Sequence, residues 1–231
     1  MTLVAIGGAE DKTGEMTVLK RVLAEAGVAA PRVLVMTTAT GYPEEVAEKY
    51  RDAFARLNVT PDTRHITTKA EADAPASVAS LKNYDVVFFS GGDQEKLSAA
   101  FGGTAFLAAL AAREAEGAVI AGTSAGAAAM SSLMITGGEP RNALKPGGLG
   151  LGEGLSFTPD VVFDTHFNQR HRLKRLFGAA AADSRKVGVG LDEDTGVVVK
   201  KNNFEVIGSG RVTVLKDGVV TRHKSGDKFR L

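Results

Sequence analysis

The chain has 231 residues, 28 basic against 27 acidic side chains, and neither cysteine nor tryptophan. That length is ample to bury a core, and the absence of cysteine excludes a disulfide framework, a thiol nucleophile, a thiolate zinc site and an iron–sulfur cluster. A formal charge of +1 gives no electrostatic case for nucleic acid or an anionic membrane as partner. The N-terminal Met1-Thr-Leu-Val-Ala-Ile-Gly-Gly lacks a basic start and a long apolar run, so it does not read as a signal peptide. The alanine-rich stretch 105–130 is broken by Arg113, Glu114 and Glu116, which excludes a membrane span of ~20 apolar residues. A cytoplasmic protein is expected. The four histidines, His65, His166, His171 and His223, form no pair at an obvious metal-ligand spacing.

In chain order, Leu3–Ile6 is a β-rich run ending at Gly7-Gly8. Met16, Val18, Leu19, Val22, Leu23 and Ala26 then recur close to helical spacing until Gly27. Val33–Met36 is a second strand, followed by a helix from about Pro43 to Leu57. Val86–Phe89 and Ala118–Ala121 are further apolar runs between helical stretches. Continuous apolar strands alternating with helices predict an α/β fold, a mostly parallel sheet covered on both faces. Residues 137–154 are glycine-rich and read as a long loop, functional or mobile. From about residue 186 the pattern changes to short strands at 187–191, 196–200, 204–207, 212–215 and 219–221. Asn202-Asn203 and Asp217-Gly218 supply turns. Residues 186–231 are therefore expected as a β-rich antiparallel annex of a single 1–231 domain.

Gly122-Thr123-Ser124-Ala125-Gly126 fits G-x-S-x-G, with a buried strand before it and an alanine-rich helical run, 127–131, after it. A strand-to-helix elbow needs small neighbours because its backbone turns sharply, and it presents the serine hydroxyl beside helix N-terminal amides. The alternative is a Gly/Ser turn that only caps a helix. A serine nucleophile needs a base. Asp164-Thr165-His166-Phe167 ends the apolar run Val161–Phe163, which would bring His166 to the same rim of the sheet. His171 lies nearly opposite the stripe Leu173, Leu176, Phe177 and Ala180 and reads as solvated. His65 and His223 sit in polar surroundings. For the acid, Glu139 and the run Asp192, Glu193 and Asp194 are available, and residue chemistry alone leaves Glu139 and Glu193 open.

Six ordered blocks make the chain resemble the cyanophycinases, a serine peptidase group that also contains the aspartyl dipeptidase peptidase E. They are 7–12 (Gly-Gly-Ala-Glu-Asp-Lys), 91–94 (Gly-Gly-Asp-Gln), 122–127, 139–144 (Glu-Pro-Arg-Asn-Ala-Leu), 164–167 with Arg170, Arg172 and Arg175, and 190–195 (Gly-Leu-Asp-Glu-Asp-Thr). The resemblance implies a class I glutamine-amidotransferase-like (flavodoxin-like) layering. It also implies Ser124 as nucleophile, His166 as general base and Glu139 as charge-relay acid, with Glu193 second. Gln94, Asp164, Thr165, Arg170, Arg172 and Arg175 fall on positions around the substrate pocket. No metal or other cofactor is implied, and a homodimer is. The implied substrate is cyanophycin, a polyaspartate backbone carrying arginine on each β-carboxyl, from which β-aspartyl-arginine is released. Thr165 departs from the glutamine expected before the histidine, and the loop around Glu139 is slightly shortened.

The expected chemistry is attack by Ser124 on an aspartyl carbonyl, with an oxyanion held by the amide of Ala125 and a second donor from Gly92 or Asp93. Arginines suit substrate carboxylates. On the helix expected after His166, Arg172 and Arg175 share one flank. Arg170 borders the apolar stripe and is the expected ligand contact; the alternative is that all three snorkel from a surface helix. Three rival readings are an aspartyl or β-aspartyl dipeptidase using the same residues, a nucleotide-binding module and a non-catalytic relative that binds acidic peptides. The second rests only on Ile6-Gly7-Gly8 and Gly148-x-Gly150-x-Gly152, neither of which is G-x-G-x-x-G between strand and helix.

Overall fold

In the computed structural model, which describes residues 2–231, strand and helix alternate through the first half of the chain. The order is β1 (Thr2–Ile6), α1 (Thr17–Glu25), β2 (Val33–Met36), α2 (Pro43–Ala55), β3 (Asp62–Arg64), α3 (Lys69–Asp73), α4 (Pro75–Ser80), β4 (Val86–Phe89), α5 (Gln94–Phe101), α6 (Ala105–Ala115), β5 (Val119–Thr123) and α7 (Ala125–Ala128). A hairpin of β6 (Leu133–Gly137) and β7 (Gly150–Glu153) follows, then β8 (Val161–Asp164) and α8 (Leu173–Ala182). The chain ends in strands: β9 (Val187–Leu191), β10 (Thr195–Lys200), β11 (Asn203–Gly208), β12 (Arg211–Lys216), β13 (Val219–Lys224) and β14 (Lys228–Arg230). Among the described residues no helix is long and apolar enough to cross a membrane.

The main sheet has the order β14-β11-β10-β1-β5-β4-β2-β3. From β1 to β3 every pairing is parallel; from β1 to β14 every pairing is antiparallel. The parallel strands β2, β4 and β5 are buried along their whole length because alternate residues feed different cores. Val4, Ile6, Val35, Phe88 and Ala121 face α1 and α2 through Leu19, Val22 and Phe54. Leu3, Ala5, Met36, Phe89 and Ile120 face the other side, with Leu97, Phe101, Phe106 and Leu110 of α5 and α6. Each of the valine, leucine, isoleucine, methionine and phenylalanine side chains among them contributes ~1.5–3 kcal/mol when fully buried. Pro43 opens α2, and the side chains of Asp93 and Thr104 cap α5 and α6 by accepting the amides of Glu95 and Leu107.

The second sheet, β13-β12-β9-β8, is parallel between β8 and β9 and antiparallel beyond. It packs against the second of those cores through Val161, Phe163, Val189, Leu191, Val212 and Val214. Of the late strands, β10, β11 and β14 extend the main sheet, while β9, β12 and β13 build the second around β8. Three local expectations change. The stretch 137–154 is not one loop, since β6 and β7 pair across it and leave 138–149 as the connection. The helix after Ser124 is a short turn, Ala125–Ala128, not 127–131. The turn between β10 and β11 centres on Lys201 and Asn202, with Lys201 at φ 57°.

Candidate active site

Ser124 follows the last residue of β5 and holds φ 52°, ψ −109°, a conformation that L-residues rarely adopt. Such strain costs ~1–3 kcal/mol and persists only where neighbours over-determine it. The determinants are visible. The Ser124 amide donates to Ile6 O of β1 at 2.9 Å. A Cβ on Gly126 would lie 2.4 Å from Phe89 O, and one on Gly122 would lie 2.6 Å from the Gly126 carbonyl carbon. The elbow thus touches β4 and itself with backbone alone, which is why both flanking positions are glycine.

Ser124 Oγ lies 2.9 Å from His166 Nε2, and His166 Nδ1 lies 2.7 Å from Glu193 Oε1. Glu193, not Glu139, is the carboxylate on the imidazole. The reason is strand order. His166 follows β8, which ends at Asp164; Glu193 follows β9, which ends at Leu191; the two strands are parallel neighbours with Asp164 opposite Gly190. Glu139 sits after β6, on another wall of the same cavity, and its carboxylate makes no hydrogen bond to His166 among the described residues. The strand bearing His166 is also not in the sheet of Ser124, as the shared-rim expectation required. The two sheets meet at the loop after β1, where Gly7 O accepts the His166 amide at 2.8 Å. A Cβ on Gly8, at φ 98°, would lie 2.3 Å from His166 Cε1, so the imidazole lies directly against this backbone. Asp192 fixes the following turn by accepting from the Asn168 amide and from Asn168 Nδ2. His171 is exposed, His65 Nδ1 lies near Thr37, and His223 stacks on Phe229.

A cavity of about 390 Å³ opens over the serine, lined among others by Gly92, Gln94, Glu139, Thr165 and Arg170. Gly92 and Ala125 both line this cavity, and their backbone N–H groups make no intramolecular hydrogen bond among the described residues. Asp93 differs: its amide donates to Ala39 O at 2.9 Å and its carboxylate caps α5. Gln94 Nε2 donates to Ile135 O and Thr136 O, at 2.9 and 3.0 Å, and so holds β6 as a cavity wall. The three arginines are unequal. Arg172 Nη1 contacts Asp164 Oδ1 at 3.1 Å and Thr165 O at 2.8 Å, while Arg175 Nη2 reaches Asp164 Oδ1 at 3.2 Å. Arg175 is buried, not snorkelling, and α8 begins only at Leu173, so Arg170 lies in the preceding turn. The exposed Arg170 guanidinium has no hydrogen bond or ion pair among the described residues.

Residues 2–207 match the model of Peptidase family S51. The chain belongs to that family. Curated relatives include the protein named cyanophycinase from Synechococcus elongatus, 36% identical over 216 residues, spanning 92% of this chain and 67% of the relative. A cyanophycinase of Geminocystis herdmanii is 30% identical over 217 residues, spanning 93% and 80%. Among solved structures, a peptidase from an acI-B1 Actinobacterium superposes with a TM-score of 0.83 at 20% identity, covering 100% of this chain and 96% of its own. A putative peptidase E protein from Listeria monocytogenes EGD-e gives 0.62 at 14%, covering 90% and 98%. At those identities the two structures compare folds only.

In this S51 peptidase, burial holds the His166 imidazole below its ordinary value of 6.5. That desolvation outweighs the hydrogen bond that His166 Nδ1 donates to Glu193, and Arg170 and Arg172 push the same way. A base must be neutral to accept a proton, so kcat/KM should fall with acid only as pH drops through a midpoint below 6.5 and stay flat through neutrality. A pH–rate profile whose acid limb lies above neutrality would contradict this. Burial also raises the Asp164 carboxyl against the pull of Arg175 and Arg172. Asp164→Ala leaves two arginines without their shared counter-ion and should cost ~3–5 kcal/mol of stability in urea titration. A variant with the parent's midpoint and slope would show the cluster to be structurally idle.

Proposed function

We propose that this S51 peptidase is a serine exopeptidase that hydrolyses cyanophycin to β-aspartyl-arginine through an acyl-enzyme. The observation that carries the reading is the unbroken hydrogen-bonded chain Ser124–His166–Glu193, whose serine and histidine line a cavity with both charge signs on its walls. The curated relatives named cyanophycinase supply the substrate class. In the proposed reaction His166 Nε2 takes the Ser124 proton as Oγ bonds to an aspartyl carbonyl carbon, and Glu193 steadies the imidazolium at Nδ1. The Ala125 and Gly92 amides hold the oxyanion; losing one such donor typically costs ~2.7–4 kcal/mol of transition-state stabilisation. The imidazolium then protonates the leaving amine. Water, deprotonated by His166, releases the acid and restores the hydroxyl. Arg170 takes a substrate carboxylate and Glu139 a substrate guanidinium. A cytoplasmic homodimer, with 1–231 as one hydrolytic domain, belongs to the same proposal and rests on the family resemblance and on the pairing of the late strands with β1 and β8.

The test is mass spectrometry of products from cyanophycin and, in parallel, from aspartyl and β-aspartyl dipeptides. Release of β-Asp-Arg from the polymer supports the proposal. Free aspartate from dipeptides with an untouched polymer would replace it with the peptidase E type of activity. A fluorophosphonate probe that leaves Ser124 unlabelled in folded protein, with no product from any substrate, would favour a peptide-binding relative.

A further inference from the structure

Among the buried acids that take no part in the reaction above is Glu10, in the 7–12 block. It is 3% exposed, and it is bonded, not idle. Its Oε2 accepts the hydroxyl of Thr123 at 2.5 Å, its Oε1 accepts Tyr50 OH at 2.6 Å, and Lys12 Nζ lies 2.8 Å from Oε1. Thr123 is the residue immediately before the nucleophile. The same short loop holds the other members of the relay: Gly7 O accepts the His166 amide, Gly8 lies against the imidazole, Gly8 O accepts the Asp194 amide at 2.9 Å, and the Asp11 amide donates to Asp194 Oδ1 at 2.9 Å. Asp194 is the residue after Glu193. Four residues of the stretch 7–11, Gly7, Gly8, Glu10 and Asp11, therefore touch the histidine or the residues beside the serine and the carboxylate.

We propose that Glu10 is a positioning residue, clamping Thr123 so that the strained Ser124 presents Oγ to His166 Nε2 at hydrogen-bonding distance. The strain makes the clamp necessary. A residue at φ 52°, ψ −109° relaxes unless the chain on each side of it is held. The Ser124 amide on Ile6 O and the pairing of Thr123 with Ile6 hold the elbow on the β1 side, whereas the pairing with β4 ends at Gly122. The Thr123 side chain supplies a further anchor, because it is tied to a carboxylate that is itself pinned by Tyr50 and Lys12. Burial and the Glu10 charge push the Tyr50 phenol well above its usual range, so it remains a donor. Loss of the clamp leaves every catalytic group present but misaligned, and a misplacement of about 1 Å can cost roughly 10²-fold in rate.

The inference rests on Ser124 being the nucleophile, and the experiment separates the two. Thr123→Val removes the hydroxyl at nearly constant shape; Thr123→Ser restores it. Measured are kcat and KM on cyanophycin, the pH–rate midpoint, and the second-order rate of Ser124 labelling by a fluorophosphonate, which needs no natural substrate. The expected result for Thr123→Val is a fall of roughly 10²-fold in both kcat and labelling rate, with KM and the pH midpoint unchanged, and recovery in Thr123→Ser. Glu10→Gln should lower the labelling rate in the same way, and should add little when combined with Thr123→Val; if it does not fold, the threonine pair carries the test. A Thr123→Val protein that labels as fast as the parent overturns the clamp. So does a Thr123→Ser protein as slow as Thr123→Val, since bulk and not the hydroxyl would then be responsible. A parent protein that never labels refutes the serine mechanism, and the clamp with it.

Discussion

Ser124→Ala should lower kcat by roughly 10⁶-fold, leaving only the residual rate that oxyanion donors and binding supply, while the fold survives. The expectation rests on geometry: Oγ is the atom 2.9 Å from His166 Nε2, and the rest of the elbow is held by backbone contacts that alanine keeps. The strain at this position adds a second, opposite effect. Alanine must adopt the same φ 52° as serine and gains nothing. Glycine adopts it freely, so Ser124→Gly recovers ~1–3 kcal/mol of strain against roughly 0.5–1 kcal/mol of extra backbone entropy. The glycine variant should therefore be dead and about 1 kcal/mol more stable than the alanine variant. Product assays and urea midpoints on both proteins decide the matter. Turnover of β-aspartyl substrates at the parent rate by Ser124→Ala would end the serine mechanism.

Glu193→Gln should lower kcat by about 10²–10⁴-fold, because the amide no longer fixes the tautomer that leaves Nε2 free to accept, nor balances the imidazolium. The lower part of that range reflects the position of Glu193, whose side chain is 37% exposed and so shares its charge with solvent. Glu139→Gln is the control: its carboxylate lines the cavity without touching the relay, so its effect should fall on KM for guanidinium-bearing substrates. The pH profile gives an independent sign. Glu193 raises the imidazole against burial, so its removal should move the acid limb to still lower pH. A glutamine at 139 that abolishes kcat, with 193 tolerant, would restore the assignment that the family resemblance implied.

The contrast between these two glutamates marks where the sequence is legible. β2 and β4 coincide with the four-residue apolar runs read at 33–36 and 86–89, because a strand buried on both faces needs no alternation to be seen. The elbow is legible because only small residues permit its contacts with β4. The partner of His166 is not, because it depends on which strand lies beside β8, and neighbour order in a sheet leaves no mark on local pattern. β8 runs out into Asp164-Thr165-His166 and β9 into Leu191-Asp192-Glu193; placed side by side they make the pair, but only the register reveals it. The arginines mislead for a related reason. A helical wheel places Arg172 and Arg175 on one surface flank, yet the turn at 166–172 rotates the start of α8 and both guanidiniums fold inward onto Asp164. Asp93 is as plausible an oxyanion donor as Gly92 on sequence alone, and only the fold shows its amide spent on Ala39 O.

Ser124 stands at the end of a strand in the larger sheet, while His166 and Glu193 stand at the ends of strands in the smaller one. Neither sheet contains a working set of groups by itself. What joins them is one apolar layer, with Ala5 and Ile120 on one side and Phe163 and Val189 on the other, and the glycine backbone at positions 7 and 8. A slip of the two layers that leaves every strand intact would already open the gap between hydroxyl and imidazole. The rate of this peptidase is therefore a gauge of lamellar docking, and it reports the loosening of that seam before either layer comes apart.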